Sequence, residues 1–152
     1  MRRTAKTPLS KLKKRLWAIT REIIILLHGT TCYTCGKTNL EKQNLQIGHY
    51  IPSSVCSVEM RYDVQNLRPQ CYRCNIHLSG NWLAYEIHLQ EDGIDPAELK
   101  RRNEVTKGFQ YDTLYYNAKI QEYTDLRERL LQRHDGGGVL PHDSMASESG
   151  ME

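Results

Sequence analysis

Two Cys-x-x-Cys pairs, Cys32-Tyr33-Thr34-Cys35 and Cys71-Tyr72-Arg73-Cys74, bracket His49, and the second pair runs directly into Asn75. Four thiolates at this spacing make the full donor set of a tetrahedral structural zinc. Gly36, next to the first pair, lets the backbone turn tightly under such a metal. A centre closed by four protein ligands has no open position for substrate. Zinc is therefore expected to hold the fold, leaving chemistry to His49 and Asn75. In a reducing compartment paired cysteines favour metal over disulfides. Cys56 is left over, and a small buried hydrophobe is its expected role.

Taken alone, His49 is as readily a surface or hydrogen-bonded structural residue as a catalytic one. Its setting adds more. The chain order is first knuckle, His49 on an extended segment, Asn66, then Cys71-x-x-Cys74-Asn75. This order resembles the HNH, or ββα-metal, nuclease motif, and with Asn75 directly behind the second knuckle it is similar to the four-cysteine phage endonuclease VII type. The blocks "LQIGHYIP", "RYDVQNLRPQCYRCNIHLSGNW" and "YEIHLQEDGIDPAEL" resemble the lambdoid-phage NinG (Rap) recombination nuclease family over about 32–99. The resemblance implies a structure-specific endonuclease that cuts Holliday junctions and D-loops. It implies His49 as general base, Asn66 as the residue pinning the intervening loop, and Asn75 as a ligand of a catalytic magnesium or manganese ion.

The residue types suit those roles. Hydrolysing a phosphodiester needs a base near neutral pKa and a hard cation to offset charge on the scissile phosphate. Asn75 offers a carbonyl oxygen that such a cation accepts. Many HNH enzymes carry an aspartate ligand just before the base, where this chain has Gly48. Asp63 and His77 are the nearest candidates for the missing ligand, and for Asp63 a structural role, pairing with Arg61 or capping a turn, is an equal alternative.

Arg61, Arg68 and Arg73 crowd the same segment with Tyr50, Tyr62 and Tyr72 interleaved. Arginines suit bidentate phosphate contacts and tyrosines can stack on exposed bases, although each tyrosine serves equally well as core. Arg2, Arg3, Lys6, Lys11, Lys13, Lys14 and Arg15 all precede the first acidic residue, Glu22. That block reads as a phosphate-binding arm, or as a solvated helix start.

The elements that must position these groups follow from periodicity. Thr7-Pro8 reads as an N-cap with proline in the first turn. Leu12, Leu16, Ile19, Ile23 and Leu26 recur every three or four residues, predicting a helix that His28-Gly29 ends. Leu45 and Ile47 alternate with polar or small residues as in a short strand, and a second extended piece is expected over 67–70. A helix should begin after Cys71 and restart at Gly80-Asn81, with Trp82, Leu83, Ile87 and Leu89 as its apolar face. Asp95-Pro96-Ala97-Glu98 reads as a capping box opening a helix through Arg102. Tyr116, Ile120, Tyr123, Leu126 and Leu130 mark a last helix over 112–133, whose stripe is core or a dimer seam.

The 152 residues, 39% apolar and 26% charged with a net charge of +3, describe an ordinary water-compatible chain with one modest core. Arg21 and Glu22 interrupt the most apolar stretch, 16–27, which is too short to span a bilayer, and no signal-peptide pattern is present. The expected class is α+β, a small zinc-stabilised ββα-metal (HNH, treble-clef-like) core flanked by N- and C-terminal helices. The expected divisions are a basic arm and helix (1–29), the nuclease core (30–92), C-terminal helices (93–133) and a disordered tail (134–152). The expected partners are branched DNA and a second copy of the chain in a homodimer, because resolving a junction takes two symmetric cuts. The expected setting is cytoplasmic, with no membrane contact (the host cytoplasm, if phage-encoded). Two alternatives stand beside the junction nuclease. One is a non-catalytic zinc module that binds nucleic acid; the other is an HNH nicking or restriction-like enzyme acting on linear duplex.

Overall fold

The computed structural model describes residues 7–136; Arg2, Arg3, Lys6 and the tail from 137 onward lie outside them. The order is α1 (Leu9–His28), β1 (Gln46–His49), α2 (Val58–Tyr62), β2 (Leu67–Gln70), α3 (Trp82–Glu91), α4 (Pro96–Thr106) and α5 (Thr113–Asp135). A one-turn π-helical segment, Arg73–His77, follows the second cysteine knuckle. The fold is thus a mixed α and β structure, mostly helical, around one small sheet.

The apolar stripes of the two long helices meet each other. Leu12, Leu16, Ile19 and Ile23 of α1 are buried against Tyr116, Ile120, Tyr123 and Leu130 of α5. Lys13 lies over the Tyr116 ring, Arg127 reaches Glu22 at 2.9 Å, and His134 reaches the Leu26 carbonyl at 3.0 Å. These contacts ascend both helices together, so α1 and α5 run parallel. The stripe expected as a possible dimer seam is consumed within the chain.

The other side of α1 carries the sheet. Ile24 packs with Ile47 and Leu67, while Trp17 reaches the same cluster. The strands pair antiparallel, with Gly48 opposite Arg68 and His49 opposite Leu67. The reverse face of the sheet lies over Tyr85 of α3, whose hydroxyl donates to the Gly48 carbonyl at 3.0 Å. Tyr85 belongs to a second cluster with Tyr50, Ile51, Met60, Leu89 and Leu99, which seats α3 and α4 on the loop after β1.

Several local expectations are corrected. Pro8 itself holds the N-cap position of α1, with no side-chain cap, so Thr7 does not cap it. Asp95 does cap α4, but through the Ala97 N–H, while Glu98 turns outward to Arg101 at 2.7 Å. No capping box closes, and α4 continues past Arg102 to Thr106. Trp82, Leu83 and Ile87 are exposed, because Tyr85 and Leu89 alone face the core. The five-residue α2, capped by Ser57, was hidden in sequence by its brevity. Cys56 is only half-buried at the edge of the second cluster.

Candidate functional site

The four cysteines of the two knuckles converge, with all Sγ atoms within 4.8 Å of one another. A zinc–sulfur bond of about 2.3 Å gives a tetrahedron whose edges are about 3.8 Å. The Cys35–Cys71 sulfur separation is 3.8 Å. Cys32, Cys71 and Cys74 are buried, and the Cys74 N–H and the Asn81 amide donate to the knuckle sulfurs Cys71 Sγ and Cys74 Sγ. Gly36 adopts φ +77°, the left-handed turn the first knuckle requires. Burial works against ionisation of Cys32. Hydrogen bonds from Thr34 and the surrounding backbone outweigh it and bring that thiol down to about 6. Burial instead pushes the Cys35 thiol up to about 12 and raises that of Cys74, so the fit to zinc rests on the donor set and its spacing.

His49 ends β1 with its ring stacked on the Trp17 indole, centroids 5.4 Å apart and planes nearly parallel. Its Nε2 lies 3.0 Å from the Arg61 carbonyl oxygen. A carbonyl only accepts, so Nε2 carries the proton and Nδ1 keeps a free lone pair. Burial, reinforced by the Arg61 charge, lowers the His49 pKa below the ordinary histidine value despite the upward pull of that carbonyl. The imidazole is therefore neutral at pH 7, the state a general base needs.

Asn66 fixes the acceptor of that bond. It is fully buried, taking the Ile51 N–H at 2.8 Å and donating to the Ile51 and Met60 carbonyls at 3.3 and 3.0 Å. The loop from 50 to 66 is thereby closed on itself, and Met60 is followed directly by Arg61. Asn66 touches no solvent, so it is a positioning residue.

Asn75 follows the last zinc ligand and its amide donates to Gln46 Oε1 at 3.4 Å, leaving Oδ1 free. Asn75 and His49 line one cavity of about 560 Å³ together with Trp17, Ser53, Ser54 and Ser79. No carboxylate is among the residues lining it. Residue 48 has no room for one: a Cβ there would stand 1.8 Å from Gln70 Oε1. Gln70 is fully buried, and its amide donates to Thr34 Oγ1 at 3.0 Å and to the Gly80 carbonyl at 2.8 Å.

Asp63 is corrected as a metal candidate. It accepts the Gln65 N–H at 2.8 Å and pairs with Arg102 at 2.9 Å, facing a different concavity. His77 is exposed, edge-on to Tyr72 and outside the His49 cavity. Arg68 is corrected as a DNA contact. β2 is buried on both faces, and the Arg68 guanidinium serves the Val64 and Leu67 carbonyls, Asp92 and the Tyr33 ring. Tyr50 and Tyr62 are core residues, and of the three interleaved tyrosines only Tyr72 is exposed.

Lys13, Lys14 and Arg61 line a groove of about 390 Å³ together with Trp17 and His49. Lys11, Arg15 and Arg73 are exposed but lie off that groove. The two residues that sequence reading missed are Trp17 and Gln70. Trp17 was signalled only by standing three and four residues beyond Lys14 and Lys13, on one helix face. Gln70 was signalled only by the missing side chain at Gly48, diagonally across the strand pair from it.

Residues 1–131 match the family model described as Bacteriophage Lambda NinG protein. The chain belongs to the NinG family. It is 29% identical over 102 residues to protein ninG of Salmonella phage P22, an alignment covering 63% of this chain and 49% of that protein. Over 58 residues it is 34% identical to protein ninG of Escherichia phage 933W and 33% to that of Escherichia phage lambda, covering 38% of this chain and 27% of each. The chain thus spans about half, or less, of the curated relatives it matches. No solved structure matches it. No described helix is long and apolar enough to cross a membrane.

Proposed function

We propose that this NinG-family chain is a structure-specific endonuclease that cuts branched DNA, with an HNH-like core similar to the phage endonuclease VII type. The observation that carries the reading is the His49 arrangement: a neutral, stacked imidazole that donates its Nε2–H to the Arg61 carbonyl and lines one concavity with Lys13, Lys14 and Arg61. Lys13, Lys14 and Arg61 would hold the phosphate backbone, and Nδ1 would take a proton from the attacking water. Asn66 orders the loop that orients the ring. Zinc at the four cysteines would hold the hairpin and Asn75 in register and take no part in hydrolysis.

A magnesium or manganese ion, when bound, would offset charge on the phosphate and the leaving oxygen. The chain offers it Asn75 Oδ1 and nearby serine hydroxyls, short of the carboxylates such ions commonly take. That shortfall favours the second reading, a zinc module that binds nucleic acid without cutting it. Two symmetric cuts would call for a two-fold dimer, whose seam must lie away from the paired faces of α1 and α5.

The test is cleavage of a four-way junction against linear duplex of the same sequence, with magnesium or manganese, for the intact chain and His49→Ala. Junction cutting abolished by His49→Ala supports the proposal. Binding without cutting supports the zinc module, and equal cutting of both DNAs supports a nicking enzyme on linear duplex.

A further inference from the structure

His49 lines a third concavity besides the cationic groove and the Asn75 cavity, and its chemistry is different. It lies between the loop after β1 and helices α3 and α4, with a volume of about 390 Å³. Tyr50 and Ile51 form its floor and Val55 and Trp82 its walls. Trp82, on the first turn of α3, is 61% exposed, and Val55 is 55% exposed. The charges on the rim are already spent on each other, Lys100 on Glu86 at 3.4 Å and Lys107 on Glu104 at 3.6 Å. We propose that this apolar recess receives a single unstacked nucleobase from a DNA branch point, with Trp82 as its stacking platform. The proposal rests on the branched-DNA reading above.

A nucleotide presents an anion on one side and a flat apolar ring on the other. The two concavities that share His49 divide in the same way: Lys13, Lys14 and Arg61 on one side, Trp82, Val55 and a self-neutralised rim on the other. A nucleotide joins anion and apolar ring within a single unit of fixed chemistry, whereas a peptide or a second copy would need a particular acidic and apolar side chain brought together. The volume sits at the small end of ligand pockets, suited to one base and not to a stretch of strand. Occupying it from an intact duplex requires breaking a pair and two stacks, whereas a base at a branch is already partly free. The recess therefore converts a stacking contact into a preference for DNA shape, which a cationic groove alone does not supply.

The experiment uses the zinc-loaded full chain and its Trp82→Ala and Trp82→Phe variants, with no added magnesium or manganese. The probes are a four-way junction carrying 2-aminopurine at the branch and a linear duplex carrying it paired. Trp82→Ala is expected to weaken junction binding by about tenfold, within the range of base–aromatic stacking, and duplex binding by less than about twofold. The change in 2-aminopurine fluorescence on binding should disappear in Trp82→Ala and largely return in Trp82→Phe. An intact protein that prefers junctions here but cuts neither DNA once magnesium or manganese is added would sink the nuclease reading while leaving this inference standing. Equal losses on both DNAs, an unchanged preference in Trp82→Ala, or an intact chain without any junction preference would overturn it. A shift of Trp82→Ala to a smaller species in sedimentation would also overturn it, since the face would then be a protein seam.

Discussion

Adding one methyl group at Gly48 should unsettle the whole hairpin. The ideal Cβ falls 1.8 Å from Gln70 Oε1, 2.6 Å from Cδ and 3.1 Å from Cγ, so the Gln70 side chain must leave. It has nowhere cheap to go, being fully buried and held through its amide by Thr34 and Gly80. Its departure strips a partner from two buried groups, at about 1–3 kcal/mol for each. Gly48→Ala is therefore expected to cost about 2–5 kcal/mol, a large share of a total stability of roughly 5–15 kcal/mol. Gln70→Ala removes the same bonds and should cost about as much. With Gln70 cut back to alanine the three atoms nearest the methyl group are gone, so the double variant should resemble Gln70→Ala alone. The cycle should then show about 2 kcal/mol or more of coupling. Urea unfolding at saturating zinc, compared at constant m, measures all four corners. A Gly48→Ala midpoint matching the parent, or additive losses in the double variant, would refute the packing argument. Either result would also reopen residue 48 to an aspartate.

The remaining predictions concern metal, base, loop and groove. Metal analysis should find about one zinc per chain, and chelation should abolish native helicity, since structural zinc contributes on the order of 10 kcal/mol; folded metal-free protein would contradict this. His49→Ala should reduce cleavage about a hundredfold while sparing binding. Because the His49 pKa is lowered, the neutral base persists to more acid pH, and the acid limb of kcat/KM should fall below 6.5; a limb above that value would contradict the assignment. Asn66→Ala should destabilise the protein by about 2–4 kcal/mol through the absence of its buried hydrogen bonds, measured by urea unfolding, with zinc content unchanged. Neutralising Lys13, Lys14 and Arg61 should lower the salt slope of DNA binding by about one unit for each phosphate no longer paired, and Arg68→Ala should instead lower stability and leave the slope alone.

The long helices and β1 were legible in the sequence because each repeats a pattern over its length, the spacing of Leu12, Leu16 and Ile19 or the alternation around Ile47, whereas β2, buried at every position, repeats none. The cysteine centre was legible from spacing alone, since two knuckles fix four donors without help from the rest of the fold. What sequence could not convey was which polar side chains would turn inward. Arg68 and Asp63 carry the same residue types as DNA- and metal-binding groups, and only burial on both faces of β2 and the arrival of Arg102 from α4 decide their roles. Trp82, Leu83 and Ile87 misled in the opposite sense, because Tyr85 and Leu89 alone are enough to seat a ten-residue helix. The neighbours of His49 were illegible for a related reason. Trp17 reaches His49 from 32 positions away through the docking of α1, and no local pattern announces that contact.

The parallel pairing of α1 with α5 also says something about how the chain must fold. The contact between Glu22 and Arg127 joins residues 105 positions apart, and that between Leu26 and His134 joins residues 108 apart. Closing so long a loop is entropically unfavourable and slow when the intervening chain is unstructured. Metal capture by the two knuckles would draw residues 32–74 into one compact unit first and shorten the segment left to search. The terminal helices would then meet late, as the last large burial of apolar surface, and refolding from urea should accelerate when zinc is present from the start. On this view the ion acts on the clock of folding as well as on its equilibrium.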